Sequence, residues 1–345
     1  VPSAAEQVVS AVREAGGALR FDHFLDIALY GSEGFYATSG RAGRRGDFLT
    51  SPEVGPLFGA VLARWIDAQF RALGSPDDFV VIEHGAGPGT LARAILSAAP
   101  QWRGRYIAVE ISASQRESHP DGVRSLAAFD DPVPHGVVLA NELLDNLPFR
   151  LAVFDGAWRE ALVGVDRSGG LVEVTRPAPA EWGWLPAGAP HGARVPVQER
   201  AAAWVRSLAA QLGRGRILAF DYCTARTAEL AHVPWRDWLR TYVGHERGAH
   251  YVRDVGAQDV TAQVCIDQLV EPDAVRRQDQ FLSLWGIDDL VAEGRQLWEQ
   301  SAAAPTLAAL RGRSRVREAE ALLDPAGLGG FMALEWGPAT VSVER

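Results

Sequence analysis

Apolar residues in this chain recur at two spacings, and the alternation between them predicts its elements. Residues 3–15 read as a short helix, with Ser3 as N-cap and Glu6 at the capping-box position, ended by Gly16-Gly17. A second helix is predicted over 20–30, where Phe21, Phe24, Leu25, Ala28 and Leu29 follow helical periodicity. A long glycine-rich loop, from Gly31 to about Pro56, carries Arg41, Arg44 and Arg45; irregular stretches of that length are usually functional or disordered. Helix 56–73 follows, with Leu57, Val61 and Trp65 beside Phe58, Leu62 and Ile66.

From 79 to 155 the pattern becomes strand, helix, strand, repeated: 79–83, 90–98, 105–110, 123–128, 136–141 and 150–154. That alternation predicts an α/β fold with a parallel sheet covered by helices. Residues 157–165 read as a hairpin partner, and 175–196, rich in Pro, Gly and Trp, as an insertion outside the sheet. Helix 197–212 puts Val197, Ala201, Trp204, Val205, Leu208 and Leu212 on one face and leads into a buried strand, 216–221. An irregular insertion is expected over 222–258 and mainly helix over 261–322. Two closing β-rich runs, 330–336 and 339–343, are separated by Gly337-Pro338. The predicted organisation is an N-terminal helical region with a substrate-side loop (1–75), a Rossmann-like core (76–222, with the insertion at about 166–196), an irregular and helical subdomain (223–325), and strands returning to the core (326–345).

Composition narrows the function classes. The 345 residues are 47% hydrophobic and carry a net charge of −9, with no lysine and no dense arginine block, so a nucleic-acid partner is not expected. Two cysteines, Cys223 and Cys265, offer neither a disulfide framework nor a metal-ligand spacing, and the expected compartment is reducing cytoplasm. The first residues lack a signal-peptide pattern, and no apolar run is long enough to span a bilayer.

The densest chemistry lies at the end of the first core strand. Phe79-Val-Val-Ile-Glu-His-Gly-Ala-Gly-Pro-Gly-Thr-Leu91 reads as a strand closing on an acid, a turn with glycine at 85, 87 and 89, and a helix start. Each glycine removes a Cβ where the backbone turns sharply or admits a ligand. The next acid in the same pattern, Glu110, comes where doubly wound folds place the carboxylate that holds a ribose. The pair points to a nucleoside-containing cofactor. A dinucleotide fingerprint would need a third glycine at 90, where Thr90 stands. The alternation Glu83-x-Gly85-x-Gly87-x-Gly89 is similar instead to the first motif of class I methyltransferases, which bind S-adenosyl-L-methionine. That cofactor has no phosphate to place at a helix N-terminus; its turn needs close approach and an acid such as Glu83 near the cationic methionine end. A glycine-rich turn in an unrelated α/β protein is the bland alternative, and the spacing of Glu110 argues against it.

Strand 136–141 delivers Asn141-Glu142-Leu-Leu-Asp145-Asn-Leu-Pro148 at its carboxyl end, where open α/β sheets bind ligands. Methyl transfer chiefly requires a positioned nucleophile. A nitrogen nucleophile carrying a proton also needs a carboxylate to orient it and take that proton, and a guanidinium is matched by carboxylates in a fork. Glu142 and Asp145 are candidates for this work; solvated cap residues are the alternative, evenly weighed for Asp145. A second cluster, Gly46-Asp47-Phe48-Leu49-Thr50-Ser51-Pro52-Glu53, precedes helix 56–73, where Ser51 and Pro52 would also serve as a plain helix start.

These blocks together resemble the MidA-like methyltransferases. The resemblance is carried by Leu29-Tyr30, Gly34-Phe35-Tyr36, the 46–53 block with Phe58-Gly59, the 82–91 turn, Val109-Glu-Ile-Ser112 with Gln115, and Asn141–Pro148. Phe220-Asp-Tyr222, the 256–262 stretch, Gln280-Phe-Leu, Gly286-Ile287 and Gly330-Phe331 extend it over nearly the whole chain. It implies a class I methyltransferase sheet with a second, mostly helical part. It assigns the cofactor to Glu83, Gly85, Gly87, Gly89 and Glu110, with Thr50 and Ser51 near it, and the transfer site to Asn141, Glu142, Asp145, Asp47 and Glu53. Mitochondrial members are linked to assembly of respiratory complex I and to arginine methylation on one of its subunits, so a protein arginine is the first-choice acceptor. No metal is expected, and the expected partners are a protein or small-molecule acceptor and a second copy of the chain.

Three departures bear on the acceptor. His84 stands where the family has an apolar residue, Cys223 where it favours glycine, and 223–250 matches loosely, with His245 and His250 as candidates for a recurring histidine. The readings weighed against protein methylation are methylation of a small molecule, an assembly factor with a vestigial pocket, and an NAD-dependent oxidoreductase. The last fails on Thr90.

Overall fold

The structure, a computed structural model, describes residues 1–38, 50–243, 246–301, 304 and 306–338. Asp47, Arg41, Arg44, Arg45, His245 and the predicted strand 339–343 lie outside the described residues.

Runs of β-branched and aliphatic residues, buried on both faces, build the central sheet. Among the described residues its order is Ala274–Arg277, Met332–Trp336, Leu212–Asp221, Val133–Asn141, Phe79–His84, Tyr106–Val109 and Val123–Leu126. The last five run parallel; Met332–Trp336 runs against them and pairs antiparallel with both of its neighbours, Leu212–Asp221 and Ala274–Arg277. The chain works outward from Phe79–His84 to Val123–Leu126, then returns to lay Val133–Asn141 on the other side of its first core strand. The order therefore reverses between these two strands, and a crevice opens where their carboxyl ends diverge.

Two apolar layers cover the sheet. One combines Leu57, Phe58, Val61 and Trp65 of helix Pro56–Ala72 with Leu91 and Ile95 of helix Thr90–Ala98 and Phe281 of helix Gln278–Leu284. A Cβ on Gly59 would stand 2.4 Å from that of Ala94, so only glycine lets the first two helices cross this closely. On the other face, Ala201, Val205 and Leu208 of helix Glu199–Gln211 pack over Val138, Ala140 and Ala219. That helix leads directly into strand Leu212–Asp221, so its first turn lies near the carboxyl edge of the sheet.

A second, antiparallel sheet corrects two sequence expectations. Its order is Ala18–Arg20, Trp158–Val165, Arg150–Phe154 and Arg194–Val197, with Leu171–Pro177 also pairing Trp158–Val165. The run 150–154, expected in the parallel sheet, belongs here; a five-residue apolar run has the same periodicity in either sheet. Part of the expected 175–196 insertion, Arg194–Val197, is likewise a strand of this sheet. Buried Glu160 holds it together, accepting from Arg150 Nε at 2.8 Å and Arg176 Nε at 2.7 Å. The predicted helix 20–30 also divides: Phe21–Leu25 is α-helical, and Asp26–Tyr30 forms a π turn that faces the crevice. Among the described residues, no helix is long and apolar enough to cross a membrane.

Candidate active site

The turn after strand Phe79–His84 runs through three left-handed glycines, Gly85 at φ 66°, Gly87 at 52° and Gly89 at 78°. L side chains rarely adopt these angles. Glu110, at the end of Tyr106–Val109, accepts the Gly87 amide at 2.9 Å and the Ser112 amide at 2.8 Å. His119 Nε2 meets the Gly87 carbonyl at 2.9 Å. The turn is thus held from outside, and a Cβ on Gly87 would meet only Gln115 Oε1 at 3.3 Å and otherwise stand in the cleft. Glu83 lies buried at the base, accepting from Tyr106 Oη at 2.7 Å. Burial pushes its carboxyl up to about 8, although the tyrosine bond pulls the other way.

The opposite side of the crevice is built on strand Val133–Asn141. Glu142 follows Asn141 with φ at 50°, a sparsely populated conformation for a residue with a side chain; its amide donates to the Phe220 carbonyl at 2.8 Å. Its carboxyl accepts from Asn141 Nδ2 at 3.0 Å and faces the Ser51 backbone amide. Burial first, then the neighbouring Asp145, raise it to about 8. Asp145 itself is raised to about 6 by burial, against a hydrogen bond from Tyr222. Beneath both, Asp221 accepts the amides of Leu144 at 2.9 Å, Asp145 at 3.2 Å and Tyr222 at 2.9 Å, which fixes the turn carrying them. Asn141 Oδ1 is buried and has no hydrogen-bond partner among the described residues.

Between these two sides lies a cleft of about 420 Å³, within the range of small-molecule sites. Glu83, Gly85, Gly87, Glu110, Thr50, Glu53, Asn141 and Glu142 all line it. Three other candidates do not. Gly89 caps helix Thr90–Ala98, where a Cβ would press on Pro120 and His119 at 3.0–3.1 Å. Ser51 is fully buried and donates to Gln278 Oε1 at 2.9 Å, and Asp145 sits under Glu142 rather than in the opening. His250 lies in an aromatic cluster with Trp235 and Tyr251, away from the cleft lining.

Sequence reading missed one wall altogether. Tyr30 and Tyr36 stack with ring centres 5.5 Å apart; Tyr30 Oη donates to the Asn146 carbonyl at 3.0 Å and Tyr36 Oη to Asp259 at 3.2 Å. Both belong to segments that carry the family resemblance, Leu29-Tyr30 and Gly34-Phe35-Tyr36, which is the available signal. Arg200 and Trp204 reach the cleft from helix Glu199–Gln211, and Trp204 meets His84 edge-on at 5.6 Å. Burial lowers the His84 imidazole to about 4, so it lines the cleft as a neutral ring whose Nε2 has no hydrogen-bond partner among the described residues.

This lining fits an adenosyl sulfonium better than a dinucleotide. The cradle that a Cβ would fill at Gly87 admits a ligand against bare backbone. The acids Asp26, Glu53, Glu83, Glu110 and Glu142 suit ammonium and sulfonium charges, whereas a pyrophosphate would meet the carboxylates of Asp26, Glu53 and Glu110. Glu110 keeps lone pairs free for two ribose hydroxyls, since a carboxylate offers about four acceptor positions. Ile111, 60% exposed beside it, offers an apolar face to a base. Among the described residues, no group of three or more His, Cys, Asp or Glu is placed to hold a metal.

Comparison with known proteins identifies the family and the fold. The family model described as "Putative S-adenosyl-L-methionine-dependent methyltransferase" matches residues 61–280. A crystal structure of a superfamily member from Burkholderia thailandensis bound to S-adenosyl-homocysteine superposes with a TM-score of 0.82 at 29% identity, covering 97% of this chain and 91% of that one. The mitochondrial protein named protein arginine methyltransferase NDUFAF7 homolog from Drosophila melanogaster is 28% identical over 206 residues, 50% of this chain and 47% of that protein. The NDUFAF7 protein arginine methyltransferase of Mus musculus is 23% identical over 191 residues, 45% of this chain and 44% of that protein. The chain spans about half the length of the curated relatives it matches. On that family match and that overall fold, the chain belongs to the MidA-like family of S-adenosyl-L-methionine-dependent methyltransferases, and S-adenosyl-L-methionine is its cofactor.

Proposed function

We propose that the chain transfers the cofactor's methyl group to a nitrogen of a protein arginine side chain. The observation that carries this is the cluster of acceptors at the strand end: the Glu142 carboxyl, the Glu53 carboxyl and Asn141 Oδ1, which has no hydrogen-bond partner among the described residues, share one cleft. A guanidinium has five donors and no acceptor, so it is the side chain that such a lining orients best. The relatives named as protein arginine methyltransferases support the same acceptor.

When bound, S-adenosyl-L-methionine supplies a methyl group on a sulfonium that leaves as a neutral thioether. The chain's residues do the rest. Asn141 Oδ1 and Glu142 accept N–H bonds and aim one nitrogen lone pair along the cleft, and the Tyr30–Tyr36 wall excludes water. As the N–CH₃ bond forms, that nitrogen must lose a proton, and the Glu142 carboxylate takes it. A carboxyl raised to about 8 is basic enough to accept that proton near neutral pH, once an arriving cation has drawn it into its ionised form. Asp145 strengthens that basicity from beneath.

The test is to express the wild-type chain and Glu142→Gln in the same host with methyl-labelled methionine, then hydrolyse the protein fraction. Labelled methylarginine that depends on Glu142 supports the reading. Glu142-dependent label found only in low-molecular-mass products shows a small-molecule acceptor instead.

A further inference from the structure

The charges around the cleft are unequal. Among the described residues that line it, carboxylates come from Asp26, Glu53, Glu83, Glu110 and Glu142, whereas the guanidinium of Arg200 is the one arginine group. The carboxylates account for a sulfonium, an ammonium, a ribose and a cationic acceptor. None of them can meet the α-carboxylate of the cofactor's methionyl end, which needs donors once it leaves water.

We propose that Arg200 binds that α-carboxylate, with Asp26 as the positioning residue that aims the guanidinium. The inference rests on the cofactor assignment above and goes beyond it to a residue that no sequence motif marked. Arg200 sits in the first turn of helix Glu199–Gln211, one turn before Trp204 on the same face. Trp204 packs on His84, which immediately precedes Gly85, so the guanidinium is carried beside the glycine turn and across the sheet from Glu110. A ribose at Glu110 and a methyl group near Glu142 leave the methionyl carboxylate on the Arg200 side. The first turn of a 13-residue helix adds a field of the same sign.

Asp26 fixes the geometry. Its two oxygens take Arg200 Nη1 and Nη2 at 2.5 Å each, a fork that sets the plane of the guanidinium. Two of five N–H donors are used there, and Nε–H with the second hydrogens of the Nη atoms remain for a carboxylate. Asp26 begins the π turn that ends at Tyr30, whose hydroxyl is tied to the Asn146 carbonyl. The same short turn therefore places both the Arg200 clamp and the aromatic wall of the acceptor side. The competing explanation is a plain ion pair that joins the N-terminal region to the core and touches no ligand.

The two are separated by calorimetric titration with S-adenosyl-homocysteine and with S-adenosyl-3-thiopropylamine, which keeps the amine and lacks the carboxylate. Wild type is expected to prefer S-adenosyl-homocysteine by roughly 10- to 100-fold. Arg200→Ala is expected to remove most of that preference while binding the thiopropylamine as wild type does. If Arg200→Ala does not fold, Arg200→Lys carries the test, with an expected several-fold loss for S-adenosyl-homocysteine alone, because a lysine cannot make the fork. Equal weakening of both ligands, or an unchanged preference, overturns the proposal. Wild type binding neither ligand overturns the cofactor assignment, and this inference with it.

Discussion

Glu110 accepts the Gly87 backbone amide at 2.9 Å, so the carboxylate expected to hold a ribose also locks the turn that lies against the cofactor. Cofactor geometry and turn geometry are one unit here. Substituting Gly87 with valine puts a branched side chain into the cleft at a φ of 52° that valine does not favour. The expected result is a fall in S-adenosyl-homocysteine affinity of about 100-fold or more by calorimetry. Wild-type affinity in that variant would remove the turn from the site.

Glu142→Gln keeps size and hydrogen bonding but cannot take a proton. Cofactor affinity should stay within a few-fold of wild type while kcat falls by about 10²- to 10⁴-fold. The wild-type kcat/KM should rise with pH and level off near 8, where the free enzyme's Glu142 ionises. An unchanged kcat in the variant takes Glu142 out of the mechanism.

Tyr106→Phe removes the donor that buried Glu83 accepts at 2.7 Å. Leaving that carboxyl without it should cost about 1–3 kcal/mol of stability, read in denaturant unfolding. Binding of S-adenosyl-homocysteine should weaken as well. A variant as stable as wild type, with full affinity, shows that the Glu83–Tyr106 bond supports neither.

The raised carboxyls make the cofactor-free protein less stable as pH rises. Glu83 and Glu142 are each raised to about 8, above an ordinary value of 4.5. Between those values the folded chain holds protons that the unfolded chain has released. Their contribution is complete below the unfolded value and is lost as pH climbs through 8. Chemical denaturation of wild type across pH 5–8 should show that decline, roughly several kcal/mol for the pair, and Glu83→Gln/Glu142→Gln should make it shallower, the remainder coming from Asp145 and Asp221, whose carboxyls are also raised by burial. Parallel curves for the two proteins would contradict the assignment.

The parts of the site that were legible in the sequence are those in which one short segment carries both fold and chemistry. The run from Phe79 to Leu91 shows buried strand, turn and helix start together, and Glu110 and Glu142 end strands of the same kind. What escaped depends on long-range pairing. Ala18–Arg20 joins a sheet partner some 140 residues away, and Arg150–Phe154 looks like any buried strand until its neighbour is known. Arg200 stands at the edge of the apolar face of an amphipathic helix, where periodicity predicts a solvated charge, and Asp26, the first residue of a π turn, meets it there. Ser51 shows the converse: a hydroxyl inside a dense motif whose side chain pins Gln278 in the core. Asp221 ends a buried strand, and only the backbone amides above it reveal what it holds.

A crystal structure of the chain with S-adenosyl-homocysteine tests the central claim most directly. The ribose hydroxyls should lie on Glu110, the adenosyl group against the Gly85–Gly89 turn, and the sulfur should face the Glu142 carboxyl across a gap wide enough for one guanidinium. Density for the ligand outside this cleft, or with its sulfur turned away from Glu142, would contradict it.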